Sequence, residues 1–311
     1  MFAAASKALF HGLAGLRPLQ RLASRYGMAP DRGFARRFIA GETAEEAIEA
    51  ARTLAARGFG VSLDYLGESV ATLELADAAT REYLAIVGQV IAAGVERNLS
   101  LKLTQLGLDV DRATATDNLR RILEATAGHG FFVRIDMEDS SYTDATLTVL
   151  DTVWGLGYRD VGTVLQSALR RTPADLDRLN AMGSRVRLVK GAYREPAAVA
   201  YPRMNEVDEA YVALAQRLLE ANPYPAFATH DPEMIDAVQR SARERGIAAE
   251  RYEFQMLYGI RRDLQTALLA EGYRVRVYVP FGKQWFPYFM RRLGERPANV
   301  GFVLKGIVRD R

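Results

Sequence analysis

An α/β chain closed into an eight-stranded β/α barrel is what this sequence predicts, on three observations. Eight short β-rich runs recur along 311 residues, each followed by a stretch with helical spacing. Such alternation calls for parallel strands joined by right-handed crossovers, and a count of eight favours closure over an open sheet. The phosphate-binding glycine loop of an open doubly wound sheet is missing. Gly58-Phe59-Gly60 stands before its β-rich run with no third glycine in place, and no G-x-x-x-x-G-K-[ST] occurs. A barrel of this type takes ~250 residues, so one barrel and a short extension account for the length.

The first four runs are GVSLDYL from Gly60, LSLKLT from Leu99, FFVRIDM from Phe131 and DVGTVLQ from Asp160. The second four are RVRLVKG from Arg185, PAFATH from Pro225, RYEFQML from Arg251 and RVRVYVP from Arg274. Turn signals announce several of them: Gly58 to Gly60, Gly128-His129-Gly130, Asn222-Pro223 and Glu271-Gly272. The intervening stretches are rich in Ala, Leu, Arg and Glu, and Asp208 to Asn222 is an example with helical spacing. Residues 1–45 read as an N-terminal helical arm and residues 46–311 as the barrel domain. The first 30 residues carry Lys7, Arg17, Arg21 and Arg25 and no acid, which also suits an organelle presequence or a membrane-surface helix.

Composition excludes several functions. There are no cysteines, hence no disulfides, iron–sulfur clusters or thiolate nucleophiles, which suits a reducing compartment. His11, His129 and His230 are scattered, so no zinc site is expected. A net charge of +3 without a basic run argues against a nucleic-acid partner. No run of 18 apolar residues marks a membrane span.

Active sites of β/α barrels lie at the C-terminal strand ends. Those ends offer Glu68, Lys102, Asp136, Gln166, Arg187, Lys190, Thr229, His230, Gln255 and Tyr278. Lys102 sits between Leu101 and Leu103, and Arg187 between Val186 and Leu188. Charges inside apolar runs need partners, either one another or a ligand. Arg187 and Lys190 are both expected to point into the barrel mouth. The last helix, from Gln284, places Tyr288, Arg291, Arg292 and Glu295 on one face. Two adjacent guanidinium groups beside a tyrosine suit a carboxylate, although a solvated face would carry the same residues. Strand-end lysines would equally suit a Schiff-base aldolase using Lys102 or Lys190, and an inert carboxylate-binding barrel is a further alternative.

In this order the segments DYLGE, LSLKLTQLG, RIDMED, RLVKGAY, FATHD, YEFQML and YVPFG, with the Arg291–Arg292 pair, resemble the proline dehydrogenase family, from about Phe38 to Phe302. The resemblance implies a distorted TIM-type (β/α)8 barrel holding noncovalent FAD. It implies oxidation of L-proline to 1-pyrroline-5-carboxylate by hydride transfer to the flavin, with electrons passed to a membrane quinone, as the first step of proline catabolism to glutamate. Arg291 and Arg292 would grip the proline carboxylate, and Lys102, Asp136, Ala192, Tyr193, Leu257, Tyr278 and Tyr288 would complete the pocket. Glu68 would pair with the arginine helix as a gate. Met137, Gln166, Arg187, Lys190, Gly191, Ala192, Thr229, His230, Gln255, Glu295 and Asn299 would contact the flavin, with Arg187 nearest its reactive nitrogen. Arg187, Lys102, Asp136 and Glu68 form the implied catalytic set. Arg194 stands where bifunctional relatives often carry tryptophan, so no flavin contact is inherited there. The length resembles the monofunctional branch, which implies coupling to a separate pyrroline-5-carboxylate dehydrogenase. The implied location is the cytoplasm or the inner face of the cell membrane.

Overall fold

The computed structural model describes residues 27–28 and 33–295. Eight parallel strands close in sequence order: β1 (Gly60–Tyr65), β2 (Asn98–Leu101), β3 (Phe132–Ile135), β4 (Val161–Gln166), β5 (Val186–Val189), β6 (Ala226–Ala228), β7 (Glu253–Leu257) and β8 (Val275–Phe281). The seam joins β8 to β1, with Gly60 opposite Arg276 and Tyr65 opposite Phe281. All eight strands fall on the β-rich runs read from the sequence.

Helices α1 (Ala44–Ala55), α2 (Leu73–Ala93), α3 (Arg112–Thr126), α4 (Thr143–Gly155) and α5 (Thr172–Met182) serve the first half. Helices α6 (Met204–Ala221), α7 (Pro232–Glu244), α8 (Arg262–Ala270) and α9 (Trp285–Glu295) follow. Val61, Leu63, Leu99, Leu101, Val133 and Ile135 are buried in the apolar shell between strands and helices. At about 25 cal/mol per Å² of apolar surface, that shell is the main source of stability.

The barrel is distorted at its seam. Helix α1, from the N-terminal side, packs against both β8 and β1. It starts at a capping box in which Thr43 accepts from the Glu46 amide and Glu46 accepts from the Thr43 amide. Helix α9 is consequently displaced from the usual eighth position. Its apolar face, Trp285, Phe286, Phe289 and Met290, packs on Ala35, Phe38 and Ile39, with Leu66 and Ile260. The Trp285 indole donates to Glu42 at 2.9 Å. Most of the expected 1–45 arm lies outside the described residues; its last part, from 33 onward, is this seat for α9.

Gly259, in the loop after β7, supports the same seat. Its φ is +74°, and a Cβ would lie 1.7 Å from the Arg37 carbonyl oxygen. Both facts exclude a side chain. A Gly259→Ala protein is expected to lose about 2 kcal/mol or more of stability, read from urea melts. An unchanged midpoint would show that this contact is dispensable.

Candidate active site

Strand alternation sends every second side chain into the lumen. In most barrels those positions hold branched apolar residues. Here they carry Ser62 and Asp64 from β1, Ser100 from β2, Arg134 from β3, Arg187 from β5, Glu253 and Gln255 from β7, and Arg276 and Tyr278 from β8. Lys102 and Asp136 follow directly after β2 and β3. Contacts between strands that are not neighbours establish that these groups meet across the lumen.

Arg187 is the hub. Its Nη1 donates to Asp136 Oδ1 at 2.8 Å, its Nη2 to Ser100 Oγ at 3.0 Å and its Nε to Gln255 Oε1 at 2.5 Å. Its guanidinium also lies 5.3 Å from the Tyr278 ring centre. Tyr278 donates its hydroxyl to the second oxygen of Asp136 at 2.7 Å. Below them Gln255 donates to Glu253, which is also paired with Arg276 at 2.8 Å. Burial pushes the Glu253 carboxyl up, but Arg276, with Gln255 and Arg134, more than reverses that and holds it below its ordinary range. The Gln255 amide is thereby oriented: its NH2 faces Glu253 and its oxygen faces Arg187.

Lys102 stands at the top of the lumen, with Nζ 3.6 Å from both Asp64 Oδ1 and Asp136 Oδ2. Burial opposes its charge, yet the two carboxylates raise its pKa. Glu138 lies close by, accepting from the Thr104 hydroxyl at 2.7 Å, and burial pushes it up to about 7.

Helix α9 covers this end of the barrel. Arg291 Nη1 meets Glu68 Oε1 at 2.7 Å. Burial opposes the guanidinium charge, but Glu68 outweighs it and the Arg291 pKa is raised. Arg292 stacks on Tyr288 with its guanidinium 5.1 Å from the ring centre. Leu66, Glu68, Lys102, Pro287, Tyr288 and Arg291 line a space of only about 20 Å³ beneath the helix. On the outer side of Glu68 lies a second cavity of about 420 Å³, lined by Tyr65, Ser69, Leu75, Glu82, Gln105 and Gln284 among others.

A second group gathers at the ends of β4 to β7. Gln166 donates to the Glu138 carbonyl at 2.9 Å, and Met137 is buried beside it in the sequence. Gly191 has φ +121°, and a Cβ there would come within 3.2 Å of Gln166 Oε1. Thr229 accepts from the Asp231 amide at 3.1 Å. His230 Nε2 accepts from the Leu257 amide at 2.9 Å, which in a neutral ring assigns the proton to Nδ1. Ala192 and Tyr193 are exposed on the loop after β5.

Lys190 departs from the sequence expectation. Its Nζ lies 2.5 Å from Asp208 on α6 and 2.6 Å from Asp231 just before α7. Lys190 follows the last residue of β5, and its carboxylate partners differ from those of Arg187. Of the remaining expected positions, the Glu295 side chain and Asn299 lie outside the described residues. Sequence reading did not single out Asp64, Ser100, Glu138 or Glu253. For Asp64, Ser100 and Glu253 a signal existed, the same polar–apolar alternation that exposed Lys102 and Arg187.

A β/α barrel with a charged lumen and an arginine-bearing helix over its mouth has the makings of a site for a small anionic ligand, since such a lumen sacrifices apolar packing. The proline dehydrogenase family profile matches residues 47–305, so this chain belongs to the proline dehydrogenase family, a class of oxidoreductases. It is 40% identical over 291 residues to proline dehydrogenase 2 of Bacillus subtilis, covering 94% of this chain and 95% of that one. Identity to the proline dehydrogenase of Deinococcus radiodurans is 42% over 279 residues, covering 88% and 90%. Among solved structures, proline utilization A from Bdellovibrio bacteriovorus, inactivated by N-propargylglycine, superposes with a TM-score of 0.79 at 28% identity. That match covers 84% of this chain but 32% of the other, so the present chain spans about a third of it. No helix among the described residues is long and apolar enough to cross a membrane.

Proposed function

We propose that this chain oxidises L-proline to 1-pyrroline-5-carboxylate with noncovalently bound FAD, and passes the electrons to a quinone. The observation that carries the reading is the joining of two residue sets by Arg187, which bonds to Asp136 on one side and Gln255 on the other. The first set, Glu68, Lys102, Asp136, Tyr278, Tyr288, Arg291 and Arg292, suits a small amino acid. The second, Met137, Gln166, Lys190, Gly191, Thr229, His230 and Gln255, suits a flavin. Amide, hydroxyl and imidazole groups supply ring contacts, a buried guanidinium supplies positive charge, and the left-handed Gly191 leaves room for close backbone approach. Ala192, Tyr193 and Leu257 go with the substrate set in this reading, and Glu295 and Asn299 with the flavin set.

A bound flavin supplies the hydride acceptor. The protein's part is to hold proline by its carboxylate with Arg291, Arg292 and Lys102, so that the carbon beside the nitrogen faces that acceptor. Arg187 stabilises the negative charge that reduction builds. The nitrogen must be unprotonated when hydride leaves, and the cations around the pocket favour that form. The space of about 20 Å³ beneath α9 is too small for proline, so the Glu68–Arg291 pair must open to admit it. N-propargylglycine, which inactivates the Bdellovibrio protein, is like proline a secondary-amine α-amino acid. Release of pyrroline-5-carboxylate would make this the first step of proline catabolism to glutamate, feeding a separate dehydrogenase. The same reading goes with a location in the cytoplasm or on the inner face of the cell membrane.

An anaerobic absorption spectrum before and after adding L-proline tests the reading. Flavin bands near ~380 and ~450 nm, with proline bleaching the longer one, are expected. A flavin spectrum that proline leaves unchanged removes the substrate. A colourless protein that takes up no FAD removes the reaction and returns attention to borohydride trapping on Lys102.

A further inference from the structure

We propose that Asp64 receives the proton that the substrate amine gives up, with Lys102 carrying it between them. This role rests on the amine-oxidation reading above. Among the carboxyl groups of the site, Asp136 has both oxygens engaged by Arg187 and Tyr278, Glu138 accepts from Thr104, and Glu68 is paired with Arg291. A proton arriving at any of these would displace a donor or break an ion pair. Asp64 differs. It is 1% exposed; Lys102 lies 3.6 Å from it, beyond hydrogen-bond reach, and the Tyr278 hydroxyl that faces it donates at 2.7 Å to Asp136. Such a carboxylate in a native lumen calls for an explanation, because leaving it unsatisfied costs free energy.

The groups facing it are Lys102 after β2, Asp136 after β3, Arg187 on β5, Tyr278 on β8 and Tyr83 on α2. Lys102 is the nearest cation, 3.6 Å away, and it also lines the space under α9 where the substrate would sit. Asp64 and Asp136 together outweigh burial and keep Lys102 charged, so the transfer is an exchange in which the ammonium gives up one proton only as it takes another. Lys102 can therefore pass an ammonium proton to Asp64 and accept one from the substrate nitrogen. One N–H bond of the substrate breaks and one O–H bond forms on Asp64. No electrons move in this step, and the nitrogen keeps its lone pair for the oxidation that follows.

The direction with pH follows from the environment of Asp64. Burial raises its pKa, and Lys102 reverses only part of that shift. Below that pKa Asp64 already holds a proton and cannot accept another, so the reaction should fade on the acid side at a pH above the ordinary carboxylate range.

The test is Asp64→Asn in the flavin-loaded enzyme, following anaerobic flavin reduction by proline from about pH 6 to about pH 10. Near neutrality the variant should react roughly 100-fold more slowly than wild type. Its rate should then climb by about tenfold per pH unit as free proline itself deprotonates. A variant with wild-type rate and wild-type pH profile would overturn the role. If the variant does not hold flavin, wild type decides through a pH indicator in weak buffer. Proton retention on proline binding is expected, and release of one proton per site overturns the proposal. A wild-type enzyme that proline does not reduce would instead overturn the reaction itself.

Discussion

Replacing Arg187 with alanine should slow flavin reduction by proline about 100- to 1,000-fold, the range found when one preorganised charge-stabilising donor is removed. It should also destabilise the protein. Arg187 supplies three hydrogen bonds across the lumen, and Asp136 would be left with the Tyr278 hydroxyl and a lysine 3.6 Å away. Breaking a buried ion pair from one side costs about 3–5 kcal/mol, most of it from the stranded partner. Arg187→Lys should rescue only part of either loss, because one ammonium cannot reach Ser100, Asp136 and Gln255 in the geometry of a planar fork. Stopped-flow reduction and urea denaturation measure the two effects separately. A variant with normal stability and normal reduction would show that the lumen network is incidental to the chemistry.

Arg291→Ala should act differently, raising KM for proline roughly 10- to 100-fold for the loss of a charged hydrogen bond worth ~1.5–3 kcal/mol. The limiting reduction rate at saturating proline should change much less, since Arg291 lies on α9, outside the Arg187 network. Arg292→Ala should give a similar pattern. If both variants keep the wild-type KM, the substrate carboxylate binds elsewhere. If kcat falls as steeply as kcat/KM, the arginines act in the transition state and the separation between the α9 and lumen groups fails.

The strands were legible because a barrel repeats one local pattern eight times, and each β-rich run announced itself independently. Lys102 and Arg187 were legible because a charge within an apolar run has few other uses. Asp64 obeys the same alternation but passed unnoticed, since a single acidic residue near a strand end resembles an ordinary loop residue. Lys190 alternates with apolar residues and so reads as facing the mouth, whereas it is paired with Asp208 and Asp231. The displacement of α9 has no local signature: its composition would fit a helix packed beside the barrel. What moves it is α1, a helix from the other side of the chain, and that is a tertiary fact.

The seam between β8 and β1 has a consequence for how the chain reaches this state. It pairs Gly60 with Arg276, residues separated by most of the barrel sequence, and α1 must dock on a strand that emerges last from the ribosome. Closing so long a loop costs entropy before any contact repays it. Strand β1 therefore waits with one edge unpaired through most of synthesis, and the seam should form late in folding. Because the seat of α9 includes chain from the N-terminal side of β1, the arginine helix can reach its position only once that closure is complete. Folding kinetics would then show ligand-binding competence arriving with the slowest phase, after most of the β-sheet signal has appeared.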